Sequence, residues 1–124
     1  MLEAITAMAS VIGDPYLLML IAVTTVLGIV IGVLPGLGAT TGAALLLPFT
    51  LTMSPVNAIA VLATLYVSAT FAGSITAILI NTPGTSAAAA TTFDGFPLAQ
   101  RGEAGRALGI AVVSSTIGGI FSII

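Results

Sequence analysis

The chain has 124 residues, 58% hydrophobic and 5% charged, with a net charge of −2; soluble domains carry about 25% charged residues, so this composition demands lipid as a solvent. Two basic side chains make no face for nucleic acid. Without cysteine or histidine there are no disulfides and no usual zinc sets, and no apolar run holds a base or nucleophile, so neither an enzyme nor a resident metal or cofactor is expected.

Residues 4–12 are mildly apolar and suit a helix lying in the membrane interface. They do not form a signal peptide, because the flanking charges, Glu3 and Asp14, are acidic. Asp14-Pro15 is a helix-start signal, with aspartate as N-cap and proline in the first turn. A first span follows over residues 16–34, close to the ~20 residues that cross the hydrocarbon. Within it Thr24, Gly28, Gly32 and Gly36 recur at every fourth position, a face on which a second helix can approach the backbone closely.

The span is broken at residues 34–42. Pro35 has no N–H and disfavours helix at Leu34, while Gly36 and Gly38 permit positive φ. Residues 37–53 are only just long enough to cross, so they form a short broken span or half of a re-entrant hairpin, with Pro48 as a kink. Ser54-Pro55 repeats the helix-start signal. A second long apolar run, residues 56–80, exceeds what a perpendicular helix needs and is expected to tilt, or to break near Gly73. A second Pro-Gly break comes at Asn81, Thr82, Pro83, Gly84 and Thr85. It echoes the first weakly, since each follows an apolar run and leads into small and hydroxyl residues.

Residues 85–92 are nearly all alanine, serine and threonine and suit a wall packed inside protein. Residues 93–106 read as a hydrophilic loop turning at Asp94-Gly95, with Pro97 behind. Both arginines, Arg101 and Arg106, lie there, which places the loop in the cytoplasm. A last span starts near Ala107; Gly105 and Gly109 repeat the small-residue spacing, and Ser114, Ser115 and Thr116 make its middle polar. The chain ends inside that apolar run, so residues 1–124 are expected to be one membrane-embedded segment, the N-terminal fragment of a longer permease.

The fold expected is all-α: polytopic transmembrane helices with Pro/Gly-interrupted, discontinuous or re-entrant segments. Backbone in hydrocarbon must satisfy its own hydrogen bonds, so unwound segments belong beside a protein-lined cavity. A helix restarting after a break turns free N–H groups and a positive dipole end toward that cavity, where an anion can bind; freed carbonyls can hold a cation. The candidate site residues are therefore Pro35, Gly36, Gly38, Thr40, Thr41 and Gly42 in the first break, and Asn81, Thr82, Pro83, Gly84 and Thr85 in the second. A non-transporting scaffold or assembly subunit, or an uncoupled channel, are the alternatives; no charged ring or carbonyl-filter signature favours the channel.

Three motifs in order carry a family resemblance: residues 32–38 with Gly42 and the Leu45–Pro48 run, residues 72–84, and residues 92–97 followed by 101–109. Together they resemble the large membrane subunit of the tripartite tricarboxylate transporters from about Gly28 onward, with Phe71 and Ala72 where that family often has tyrosine and glycine. The resemblance implies a multi-pass protein of the bacterial inner membrane that imports citrate-like or other carboxylates, driven by Na+ or H+. It also implies two partners, a small membrane subunit and a periplasmic solute-binding protein, and a substrate site lined by the Pro35 and Pro83 motifs.

Overall fold

The computed structural model describes residues 2–124 and is helical throughout, with no strand among the described residues. Its helices are α1 (Leu2–Gly13), α2 (Pro15–Val33), α3 (Gly38–Thr50), α4 (Pro55–Ile80), α5 (Thr91–Leu98) and α6 (Ala104–Ile123). A single 3-10 turn, Ser86–Ala89, precedes α5, and a wide helical turn, Ala99–Glu103, joins α5 to α6. Three helical stretches are long and apolar enough to cross a membrane: Pro15–Val33, Pro55–Ile80 and Thr91–Ile123, the last of which includes the non-helical turn at Gly102. The protein is thus an all-α, multi-pass membrane protein.

Both anticipated helix starts form as their caps require. The Asp14 carboxylate accepts from the Tyr16 N–H at 2.9 Å, and the Ser54 hydroxyl accepts from the Asn57 N–H at 3.4 Å. Each cap satisfies a backbone donor that the first helical turn cannot satisfy itself.

Helices α2 and α4 make the central contact. Gly28 lies against Leu65 and Ser68, and Gly32 against Ala69, so the two helices run side by side in the same direction. Thr24, Gly28 and Gly32 are all buried on this seam, whereas Gly36, the fourth member of the stripe, lies exposed in the following turn. Leu65, Ala69, Ala72, Ala77 and Ile78 form the core on the α4 side. A Cβ on Gly32 would run into the Ala69 backbone carbonyl, which cannot move away; the nearest atom to one on Gly28 is the Ser68 hydroxyl, which can rotate, with the Leu65 carbonyl less tightly placed at 3.0 Å. Gly32→Ala is therefore expected to lower the thermal midpoint in detergent clearly more than Gly28→Ala, with overpacking losses of about 1–3 kcal/mol setting the scale.

Helix α3 turns back between them. Gly42 is buried against Ile31 of α2 and Leu65 of α4. At 13 residues, or roughly 20 Å of helix, α3 is shorter than a hydrocarbon core of about 30 Å; because α2 and α4 run the same way, α3 and residues 51–54 together carry the chain back along α2 to the start of α4. Pro48 is accommodated inside it.

One of the two alternatives for residues 56–80 drops out here, and the expected loop does not form. Helix α4 is continuous over its 26 residues and does not break at Gly73. The small residues around Gly73 instead let other backbone press on α4, because a Cβ at Gly73 would come within 2.7 Å of the Thr85 hydroxyl. The expected loop at 93–106 is helical, and Asp94-Gly95 lies inside α5 rather than in a turn. Gly95 sits on Ile78, where a Cβ would approach Cγ1 to 2.7 Å, so close helix packing is what that glycine serves. The reversal falls at Gly102 (φ 84°, ψ 7°), and α5 and α6 fold against each other across it. Arg106 pairs with Glu103 at 2.7 Å near this turn; the pair is well exposed and adds little stability. Helix α6 buries only Ala107, leaving Ile110, Val113, Ile117 and Phe121 exposed, and Gly105 and Gly109 have no neighbour within 4 Å of a built Cβ.

Candidate functional site

The first break is built by backbone geometry. Leu34 ends α2 in an extended conformation with its N–H on the Ile31 carbonyl at 3.2 Å, and the Leu37 N–H bonds to the Leu34 carbonyl at 3.2 Å. Gly36 (φ 93°) and Gly38 (φ 53°) carry the chain through the left-handed region. A Cβ at either would meet nothing within 4 Å, so conformation and not space requires glycine there. Helix α3 then starts at Gly38 without any capping side chain, so the amides of its first turn are left for whatever lies in front of them.

The second break is built by close approach. Asn81 ends α4 in the left-handed conformation (φ 55°, ψ 26°), which asparagine tolerates, and both its N–H and that of Thr82 turn back to the Thr76 carbonyl. The chain then doubles back along α4, and the Gly84 N–H donates to the Gly73 carbonyl at 3.2 Å. Gly84 also rests on the carbonyl of Gly32, at the end of α2, with no room for a Cβ between them. The second Pro-Gly segment therefore touches α2 two residues before the first break begins. The contact is at the level of Gly73, seven helical positions and so roughly 10 Å inside the C-terminal end of α4.

Between the two breaks lies a cleft of about 450 Å³. Gly36, Leu37, Gly38, Ala39, Thr40 and Thr41 line one side, Pro83, Gly84, Thr85, Ser86 and Ala87 the other, and Tyr66 and Thr70 of α4 form the back. No charged side chain is in this lining. The polar groups on offer are the amides of the uncapped α3 turn and a set of hydroxyls. One of these, Thr85 Oγ1, is buried and has no hydrogen-bond partner. Such a group ordinarily costs about 1–3 kcal/mol; it lies against Gly73 at the edge of the cleft, and a ligand atom reaches it only when the Thr85 side chain turns toward the cleft.

Of the residues anticipated from sequence, Gly36, Gly38, Thr40, Thr41, Pro83, Gly84 and Thr85 come together around this cleft. Pro35 stands exposed in the turn beside it, outside the lining. Gly42 is packed under α3, Asn81 caps α4, and the Thr82 hydroxyl donates to the Ile80 carbonyl at 3.2 Å. Tyr66 and Thr70 were not anticipated. Their signal was available: polar residues one turn apart inside an apolar run, on the stripe that continues to Gly73.

The sequence pattern of the tripartite tricarboxylate transporter TctA family matches residues 18–124. The chain belongs to this family. A protein of Agrobacterium vitis described as an uncharacterized 52.8 kDa protein in the TAR-I ttuC' 3' region is 47% identical over 97 residues, which are 78% of this TctA-family chain and 19% of that protein. The chain thus spans about a fifth of that relative's length. No solved structure matches it. That family is one of transporter components and not of enzymes.

Proposed function

We propose that this chain is part of the permease of a cation-coupled secondary transporter that imports citrate-like or other carboxylates across the bacterial inner membrane. A periplasmic solute-binding protein delivers the substrate and a small membrane subunit completes the assembly. The observation that carries the substrate site is the meeting of both Pro-Gly segments around one cleft with the uncapped start of α3 on its wall. A carboxylate placed there accepts from the first-turn amides of α3 and from the Thr40, Thr41 and Thr85 hydroxyls, and the positive end of the helix dipole faces its charge. A lining without fixed cations leaves the rest of the negative charge to be balanced by a co-transported Na+ or H+, which fits coupled import.

The test is uptake of labelled citrate into proteoliposomes that contain the complete transporter carrying this chain, with an imposed sodium or proton gradient. Uptake that follows the gradient is expected. The double variant Thr40→Val/Thr41→Val should raise the half-saturating citrate concentration about a hundredfold or more, each of the two hydrogen bonds to a charged group being worth about 1.5–3 kcal/mol. Unchanged citrate dependence in that variant would remove the carboxylate from this cleft. Conductance without coupling would indicate a channel, and no flux of any kind a scaffold.

A further inference from the structure

We infer that a second cleft, between α4, α5 and α6, is the site of the coupling cation, with Asp94 as its charged ligand and sodium as the ion. The inference rests on the coupled-import reading above. This cleft holds about 330 Å³ and is separate from the Pro-Gly cleft. Its polar lining is Asp94, Ser74, Thr91, Ser114 and Ser115, and the remainder is aliphatic or glycine.

Hydroxyls on membrane helices usually donate back to their own helix, and neighbouring ones here do so. Thr76 bonds to the Gly73 carbonyl at 3.2 Å, Thr92 to Ala89 at 2.7 Å and Thr116 to Val112 at 2.8 Å. None of these three lines the cleft. The hydroxyls of Ser74, Thr91, Ser114 and Ser115, on the same helices, form no hydrogen bond among the described residues and share the cleft with a carboxylate.

The donors are all hard oxygens, which suits an alkali or alkaline-earth ion. One carboxylate with neutral hydroxyls matches a single positive charge, whereas divalent sites gather several carboxylates. No cluster of three His, Cys, Asp or Glu side chains exists among the described residues. No basic side chain lines the cleft to neutralise Asp94, and Arg106 is engaged with Glu103.

The position also explains coupling. A groove lined by Tyr66, Thr70 and Ala87 at one end and by Ser74, Thr91 and Ser115 at the other joins the two clefts. Thr70 and Ser74 are one helical turn apart on α4. An ion held between α4, Thr91 and Asp94 fixes the start of α5, and with it the segment from Thr85 to Ala87 that walls the carboxylate cleft. By linkage, the ion and the carboxylate then raise each other's affinity equally.

The experiment follows thermal unfolding of the complete purified transporter in sodium chloride against choline chloride, beside sodium-dependent citrate uptake. Sodium is expected to raise the midpoint and choline is not. Asp94→Asn should raise the half-saturating sodium concentration at least about tenfold by both readouts. Ser114→Ala/Ser115→Ala should shift it in the same direction by less, and Thr92→Val should leave it unchanged. Should Asp94→Asn prove unstable, the serine pair still decides. Sodium stabilisation that survives in the Asp94 and serine variants overturns the site, even if citrate uptake stands. Stabilisation lost in those variants while the wild type takes up no citrate keeps the ion site and overturns the carboxylate-import reading alone. A wild type stabilised equally by choline overturns the site outright.

Discussion

Gly84→Val is expected to reduce carboxylate uptake to background and to lower the thermal midpoint of the complete transporter in the same variant. The reason lies in what surrounds Gly84. On one side is the carbonyl of Gly32, at the end of α2; on the other is Gly73, whose Cα would lie 2.9 Å from a Cβ placed at position 84, with the Thr76 hydroxyl at 3.2 Å. Two of these three neighbours are backbone of helices that are themselves packed together, so neither can yield as a side-chain tip would. Overpacking commonly costs about 1–3 kcal/mol, and obstruction by backbone belongs at the upper end of that range. Displacement would part the second break from the end of α2 that leads into the first, and would break the 3.2 Å bond from the Gly84 N–H to the Gly73 carbonyl. Gly84→Ala should give a smaller loss of the same kind. Gly36→Ala is the instructive comparison: it meets no neighbour, and its penalty is only the roughly 1–2 kcal/mol of a left-handed backbone. Initial rates of uptake and melting in detergent measure both quantities. Wild-type uptake by Gly84→Val would show that the second segment need not touch α2 for transport.

The contrast between Gly36 and Gly84 also shows what was legible in the sequence. Local rules located the helix starts at Asp14-Pro15 and Ser54-Pro55, because a cap is decided by residues within one turn of each other. The stripe from Thr24 to Gly32 was legible as a packing face because small residues at four-residue spacing have few other uses in a membrane helix. Proline and glycine marked both breaks. Roles set by a distant partner were not legible. Gly73 reads as a weak point until Thr85 is seen against it, and Gly95 reads as a turn until Ile78 is. Gly102, flanked by Arg101 and Glu103, carries no turn partner in sequence, yet it takes the positive φ that reverses the chain. For the same reason the candidate residues sorted only in three dimensions: Gly42 and Asn81 serve the helices, while Tyr66 and Thr70, hidden in an apolar run, face the cleft.

Thr85→Val should make the empty transporter more stable and a poorer binder at once. Valine has nearly the shape of threonine and lacks the hydroxyl, and in the empty protein that hydroxyl is buried without a partner. Removing it lifts a desolvation penalty of about 1–3 kcal/mol, or a few degrees in midpoint for a protein of this kind. In the proposed carboxylate complex the side chain turns from Gly73 into the cleft and the hydroxyl donates to a charged oxygen, so its loss should weaken citrate binding about tenfold or more. Thr85→Ser keeps the donor and should keep the affinity. The two effects of the valine variant have opposite signs, and this separates a ligand-facing group from a structural one. A hydroxyl that merely held the Thr85 segment against Gly73 would, when removed, lower stability and leave binding nearly unchanged. Melting curves recorded with and without saturating citrate give both numbers from one sample: the empty midpoint should rise above wild type, and the increment on adding citrate should shrink. A midpoint that falls in the empty variant would mean that the hydroxyl is satisfied within the protein, and the case for a carboxylate oxygen beside it would lose its strongest support.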